Sequence, residues 1–280
     1  MSESDQYAVL GNPVAHSRSP RIHALFALQC EQSMQYRAIC VEPGMFPAVV
    51  RDFMQRQGKG VNVTVPFKQE AFELADVLTE RAQRAGAVNT LLWSNDGRLL
   101  GDNTDGTGLL RDLQRLQIAL KNRRILLLGA GGAARGILSP LLQAEPTSLT
   151  VVNRNIDKAH QLQQEMADLG ELQVATYEGV QGAFDLIINA TSASLHGIMP
   201  ALPEGLLASG AAAYDLMYAD RPTAFMQWAT DQGCTLRSDG LGMLVEQAAE
   251  SFYLWRHCRP ATAPVLEQLR REVAATTDST

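Results

Sequence analysis

Apolar positions along the chain change period several times, and each change marks an element. Tyr7 to Leu10, a short apolar run, and Gly60 to Val65, which ends with alternating polar residues, read as buried strands. Between them, Pro20 to Glu31 and Pro43 to Gln57 repeat apolar residues at helical spacing, and a proline opens each, as suits a first helical turn. Leu91 to Trp93 and Leu99-Leu100 flank Asn95-Asp96-Gly97, which predicts a hairpin because Asp-Gly favours a tight turn. The middle of the chain alternates more regularly. Arg124 to Leu128, Leu149 to Val152, Asp185 to Asn189 and Ala212 to Leu216 read as strands, with helices at Gly132 to Gln143 and Ala159 to Leu169. Such alternation predicts a mostly parallel sheet. The last stretch is helical over Met243 to His257 and Pro264 to Ala274, with a tail, Thr276 to Thr280, expected to fray. The fold class is therefore α/β, with unit boundaries near Asp105 and Gly240.

A length of 280 residues accommodates two domains. The hydrophobic fraction of 46% and charged fraction of 19% are those of an ordinary globular protein. A net charge of −6 argues against nucleic acid as a partner. The densest basic stretch, Arg111 to Arg124, interleaves its cations with leucines and reads as a solvated helix face. Cys30, Cys40, Cys234 and Cys258 lack metal-site or framework spacing, so reduced thiols are expected. The start, Met1-Ser2-Glu3-Ser4-Asp5, has neither a basic region nor an apolar stretch, and no apolar run reaches the ~20 residues of a membrane helix. A cytoplasmic protein with no membrane partner is expected.

Gly129-Ala130-Gly131-Gly132-Ala133-Ala134-Arg135-Gly136 follows the apolar Ile125 to Leu128 strand and opens a helix. A glycine turn in that context lets backbone N–H groups approach a pyrophosphate. A tight turn without ligand is the competing reading. About 20 residues further on, an NAD enzyme carries a ribose-binding carboxylate. This chain has Asn153-Arg154-Asn155 there, with Lys158 a turn later. A guanidinium and an ammonium suit a 2′-phosphate, so NADP is the cofactor expected, unless Arg154 is simply a surface cation.

The first third holds polar residues with more than one reading. Ser19 precedes Pro20 and suits a helix N-cap, whereas Ser17 has no such role. Lys68 closes Asn62-Val63-Thr64-Val65-Pro66-Phe67-Lys68 and could be an exposed helix-start lysine. Asp105, within Asn103-Thr104-Asp105-Gly106, could be a cap or a catalyst. His16 competes as a general acid because histidine titrates near neutrality.

Taken in order, S-R-S-P, N-V-T-V-P-F-K, A-V-N-T, N-T-D-G, G-A-G-G-A-A-R-G, N-R-N, N-A-T-S, Y-D-L-M-Y and G-L-G-M-L-V-E-Q-A-A resemble the shikimate dehydrogenase family from about Tyr7 to about Arg270. The resemblance implies an N-terminal α/β substrate domain with a mostly parallel sheet, residues 1–105, completed by C-terminal helices, 241–280. A Rossmann-type doubly wound NADP domain, 106–240, lies between them in the chain. It implies a small-molecule substrate, shikimate or 3-dehydroshikimate, and leaves a homodimer open. It makes Lys68 and Asp105 the catalytic pair, with Ser17, Ser19, Thr64, Asn89, Tyr218 and Gln247 on the substrate's carboxylate and hydroxyls. Gly129, Ala130, Gly131, Gly132 and Ala133 would take the pyrophosphate, and Asn153, Arg154, Asn155 and Lys158 the 2′-phosphate end. Leu216 and Gly240 would lie by the nicotinamide. Glu80 would touch cofactor or serve its own helix start. Asn155 and Lys158 depart from the family's commoner threonine and arginine without threatening NADP use. Rival readings are a quinate/shikimate dehydrogenase with broader tolerance and a catalytically silent NADP-binding regulator.

Overall fold

In the first unit, β1 (Asp5–Gly11) is followed by α1 (Ser19–Gln29), β2 (Met34–Cys40), α2 (Phe46–Gln55) and β3 (Gly58–Val63). Then come α3 (Lys68–Leu74), β4 (Val77–Leu78), α4 (Glu80–Ala85), β5 (Thr90–Trp93), β6 (Leu99–Asp102) and α5 (Asp105–Arg115), which passes into the second unit after Gly108. The protein is described by a computed structural model over residues 4–56 and 58–277. The strands form a mixed sheet in the order β2-β1-β3-β5-β6-β4. Only β5 runs against its neighbours, a consequence of the predicted hairpin, which pairs Leu91 with Gly101. Helix α2 shows why its segment coils: Phe46, Val50, Phe53 and Met54 form one buried stripe at helical spacing. They join Ala8, Leu10, Val61, Val63 and Phe67 in one core.

The second unit repeats strand and helix as β7 (Arg124–Leu128), α6 (Gly132–Gln143), β8 (Ser148–Val152), α7 (Ile156–Glu165), β9 (Leu172–Ala175), β10 (Phe184–Asn189), β11 (Leu207–Asp215), α8 (Ala224–Asp231) and β12 (Leu236–Ser238). Every recorded pairing is parallel, in the order β12-β11-β10-β7-β8-β9. Two three-strand halves thus wind outward from β7 and β10, the doubly wound topology whose switch point receives ligands at the strands' carboxyl ends. Ile125 to Leu128 is buried on both faces, which accounts for its unbroken apolar run. Helices α9 (Leu241–Arg256) and α10 (Thr262–Thr277) complete the chain. The two units comprise Met1–Gly108 with Leu244–Gln268, and Leu109–Met243 with Leu269–Thr280.

Several expectations are corrected. Strand β2 was not foreseen, because its Met34-Gln35-Tyr36-Arg37 alternation is that of a half-exposed edge. Short β9 and β12, at the outer edges of the second sheet, also went unread, as did α8. Cys30 and Cys258 are joined in a disulfide rather than free, whereas Cys40 and Cys234 are free thiols. A separation of 228 residues left that pair without a spacing signal, and only the fold brings its Cα atoms within 6.5 Å. The expected fraying falls partly on residues 278–280, outside the described residues, and α10 itself reaches Thr277. Residues 1–3 of the acidic start and the last residue of the predicted second helix, Gln57, also lie outside them. Among the described residues no helix is long and apolar enough to cross a membrane.

Candidate active site

Lys68 is the first residue of α3, and its neighbour Phe67 anchors the turn. Phe67 is fully buried and stacks on Phe46 at 5.0 Å between ring centroids. The lysine side chain, 19% exposed, reaches Asp105, whose carboxylate is 7% exposed, with Nζ 2.5 Å from Oδ2. Asp105 opens α5 without capping it. Its own N–H is taken by Asn103 Oδ1 at 3.1 Å, and the Asn103 amide donates to Ala87 O at 3.0 Å. The carboxylate is therefore free of helix duties and carries two side-chain donors, Lys68 on Oδ2 and Asn89 Nδ2 on Oδ1 at 2.8 Å. A nearly buried carboxylate with both oxygens engaged is held in one rotamer.

Asn89, buried between β5 and the preceding turn, is the hub. Its Nδ2 also donates to Thr104 Oγ1 at 2.9 Å and, more distantly, to Gln247 Oε1 at 3.4 Å. Gln247, half-buried on α9, is held by its own Nε2 donating to Leu244 O at 2.9 Å. Behind the pair, Arg81 grips Asp102 through Nε and Nη2, both at 2.6 Å, and reaches Glu250 at 3.2 Å. Asp102 in turn accepts the Asn103 N–H at 2.7 Å, fixing the segment that delivers Asp105. Arg81, Asp102, Thr104, Asn62, Thr90 and Ser251 were missed by sequence reasoning. The signal available was Asn62, a polar residue within a buried strand.

The serines exchange roles. Ser19 is inside α1 and buried, and it is Ser17 whose Oγ accepts the Ser19 N–H at 3.3 Å. Arg18 is the N-cap residue, and its side chain does not cap the helix. Thr64 sits half-buried at the end of the β3 segment, its N–H on Leu10 O at 2.9 Å. Ser17, Ser19, Thr64, Lys68, Asn89, Asp105 and Gln247 all belong to the first unit, while Tyr218 follows β11 in the second. His16 is exposed and lies outside the hydrogen-bond network around Asp105. Glu80 is exposed in the first turn of α4, where its charge favours the helix N-terminus. The cap there is Thr79, whose side chain accepts from Ala82 N.

In the second unit, Gly129 to Ala133 fill the carboxyl end of β7 beside the switch point. Gly129 has φ +107 and would bring a Cβ to 3.0 Å from Thr191, so glycine is required there. Gly131 and Gly132 face open space, with nothing within 4 Å of an added Cβ, and Gly131, the N-cap residue of α6, supplies no side-chain cap. The first N–H groups of a 12-residue helix are thus left facing an open cradle. Asn153 Oδ1 accepts the Ala130 N–H at 3.2 Å and ties β8 to the loop. Asn155 serves as N-cap of α7, accepting from Asp157 N at 3.0 Å. Arg154 and Lys158 are exposed, and among the described residues neither has an ion-pair partner. An open glycine cradle beside two unpaired cations fits a dinucleotide with an extra phosphate.

Deeper in this unit, Asp215 closes the ends of β10 and β11. It accepts from Asn189 Nδ2 at 2.9 Å, Thr223 Oγ1 at 2.5 Å and Met217 N at 3.0 Å, and burial raises its carboxyl above the ordinary value. Leu216 follows it, and Gly240 packs on the Leu216 backbone so closely that any side chain would collide.

Three family profiles match in chain order: the shikimate dehydrogenase substrate binding domain over residues 9–91, shikimate/quinate 5-dehydrogenase over 112–209, and the shikimate 5'-dehydrogenase C-terminal domain over 240–270. The NADP(+)-dependent shikimate dehydrogenase of Chromohalobacter salexigens is 56% identical over 96% of this chain and 99% of its own. This chain belongs to the shikimate dehydrogenase family. The Vibrio cholerae member is 53% identical over 97% of this chain and 98% of its own. Among solved structures, an Ael1 enzyme from Pseudomonas putida aligns with a TM-score of 0.89 at 49% identity, covering 95% of this chain and 98% of its own. The Thermus thermophilus shikimate 5-dehydrogenase, solved with NADP(H) and shikimate, has a TM-score of 0.83 at 35% identity over 95% of this chain and 98% of its own. The family membership rules in an oxidoreductase and leaves the residue roles to the geometry above.

Proposed function

We propose that the chain catalyses the reversible, NADP-dependent reduction of 3-dehydroshikimate to shikimate, with Lys68 and Asp105 handling the proton. The carrying observation is the 2.5 Å Lys68–Asp105 pair, held by Asn89 within the unit that matches the substrate-binding profile. Reducing a ring ketone requires a hydride on carbon and a proton on oxygen, and bound NADPH supplies the first. The Lys68 ammonium donates the second to the oxygen as negative charge builds there, and the neutral amine takes it back in the oxidative direction. Asp105 orients that ammonium and accepts from the substrate hydroxyl. Ser17, Ser19, Thr64, Asn89, Gln247 and Tyr218 hold the carboxylate and hydroxyls. The Gly129 to Ala133 loop receives the pyrophosphate, Arg154 and Lys158 the 2′-phosphate with Asn153 and Asn155 shaping the loop, and Leu216 and Gly240 the nicotinamide end. Glu80 is the least supported cofactor contact, being exposed in the first unit.

The substrate domain in this reading is 1–105 with 241–280, and the NADP domain is 106–240. Location in the cytoplasm accords with dependence on NADPH, which cells make and recycle internally; a homodimer is the assembly to test by sedimentation. The deciding assay is NADPH absorbance during incubation with shikimate and NADP⁺. Turnover that falls away when quinate or NAD⁺ is substituted is expected. No NADPH from shikimate would overturn the reading.

A further inference from the structure

Asn62 and Thr90 belong to the motifs N-V-T-V-P-F-K and A-V-N-T, yet neither is assigned a role above. They stand directly opposite each other on β3 and β5, so their side chains share one face. Thr90 and Ser251 are fully buried, and Asn62 is 6% exposed. Burying so many polar groups is costly unless each is satisfied, and here each is.

The direction of the bonds follows from which groups can only donate or only accept. The Asn89 Oδ1 atom faces the Thr104 backbone N–H at 2.9 Å, which settles the amide orientation and turns its NH₂ toward Asp105. Thr90 has one hydroxyl proton, and it goes to Asn89 Oδ1 at 2.9 Å. Thr90 Oγ1 then accepts, from Asn62 Nδ2 at 3.1 Å and from Ser251 Oγ at 2.8 Å. Asn62 is fixed in turn, because its NH₂ faces the Asn89 carbonyl at 3.1 Å while its Oδ1 accepts the Tyr36 hydroxyl at 2.8 Å. One run of donors thus leads from Tyr36 through Asn62, Thr90 and Asn89 to Asp105, and bonds aligned in this way polarise one another.

We infer that Asn62, Thr90 and Ser251 are positioning residues that lock the Asn89 amide and, through it, the Asp105 carboxylate that orients Lys68. The inference rests on the reading of Lys68 and Asp105 as the catalytic pair. None of the three touches Asp105 or Lys68 in the hydrogen-bond network; Thr90 reaches Asp105 through Asn89, while Ser251 also meets Thr104 Oγ1 at 3.3 Å.

Thr90→Val removes the donor at nearly constant volume, and kcat for shikimate oxidation should fall about tenfold, as small displacements of a catalytic group do. Thr90→Ser should recover most of that loss, and affinity for NADP⁺ should stay within about twofold of the unaltered protein. In an Asn89→Ala background the same Thr90→Val change should cost less than about twofold, because the residue it acts through is gone. Additive losses in the two backgrounds, or a Thr90→Ser variant as impaired as Thr90→Val, would overturn the inference. So would a Thr90→Val variant with unaltered kcat. Should Thr90→Val not fold, Ser251→Ala carries the same cycle, with about a threefold fall expected in the otherwise unaltered protein and none alongside Asn89→Ala. Absence of shikimate turnover in the unaltered protein would instead sink the catalytic reading itself, so the two failures are distinguishable.

Discussion

The two candidate binding regions are built on opposite plans. Around Asp105 the protein contacts itself: lysine, asparagine and threonine side chains are already bonded to one another, at 2.5 Å for Lys68 and 2.8 Å for Asn89. Around Gly131 it does the reverse, leaving helix N–H groups uncapped and, among the described residues, the cations of Arg154 and Lys158 without an ion-pair partner. A reacting centre must hold its proton donor in place before substrate arrives. A cofactor's phosphates need only space, backbone donors and charge. Buried, mutually bonded side chains in one region and an open backbone cradle in the other therefore mark chemistry and grip respectively.

That contrast is best broken by substitutions whose effects should separate. Lys68→Ala should reduce kcat by about 10²-fold or more, the usual loss on removing a positioned proton donor, with NADPH affinity nearly unchanged by fluorescence titration. Near-normal turnover would remove Lys68 from the mechanism. Arg154→Ala combined with Lys158→Ala should weaken NADPH by about 1.5–3 kcal/mol per lost charge-assisted contact while barely affecting NADH, which has no 2′-phosphate. Equal losses for both cofactors would mean that these cations do not read the phosphate.

His23 tests what burial costs in the first unit. It stacks on Tyr36 at 4.1 Å and is fully buried, and burial, opposed in part by the neighbouring Asn62, lowers its pKa to about 3. The unfolded chain takes up a proton near pH 6.5 that the folded chain refuses, so stability present above that pH is lost as pH falls toward 3. Between pH 7 and pH 5 this single group should cost about 2 kcal/mol, measurable by urea unfolding at the two pH values. His23→Phe should flatten that dependence, and an unchanged slope would contradict the assignment. The smallest effect expected is on substrate choice. If Ser17, Ser19 and Gln247 clamp the carboxylate closely, the extra hydroxyl of quinate is left unpaired, and kcat/KM for shikimate should exceed that for quinate by at least about tenfold. Comparable efficiency on both rings would favour a broader quinate/shikimate enzyme.

The same contrast explains what could be read without coordinates. The glycine loop was legible because its chemistry is local: strand, turn and helix start lie within a few residues of one another, and the Arg154 segment follows at a fixed remove. The Lys68–Asp105 pair was reachable only through the resemblance of ordered motifs, since each residue alone is equally a helix-start residue. Of its supporting shell, only Asn62, a polar residue within a buried strand, left a signal. Ser251 comes from α9 and Asn62 from β3, and nothing in their spacing announces that they meet. Edge strands failed for a related reason. Half-exposed β2 and the three-residue β12 bury too little to show a strong period.

Asp105 serves as a two-sided acceptor, which Asp105→Asn tests directly. A carboxylate offers an oxygen to Lys68 and another to Asn89, whereas an amide offers one oxygen and must turn its NH₂ against the remaining donor. Measured on the same preparation, kcat for shikimate oxidation should fall by at least about 10²-fold while the Kd for NADP⁺ stays within about twofold. Retained turnover, or a cofactor affinity that collapses together with kcat, would contradict it.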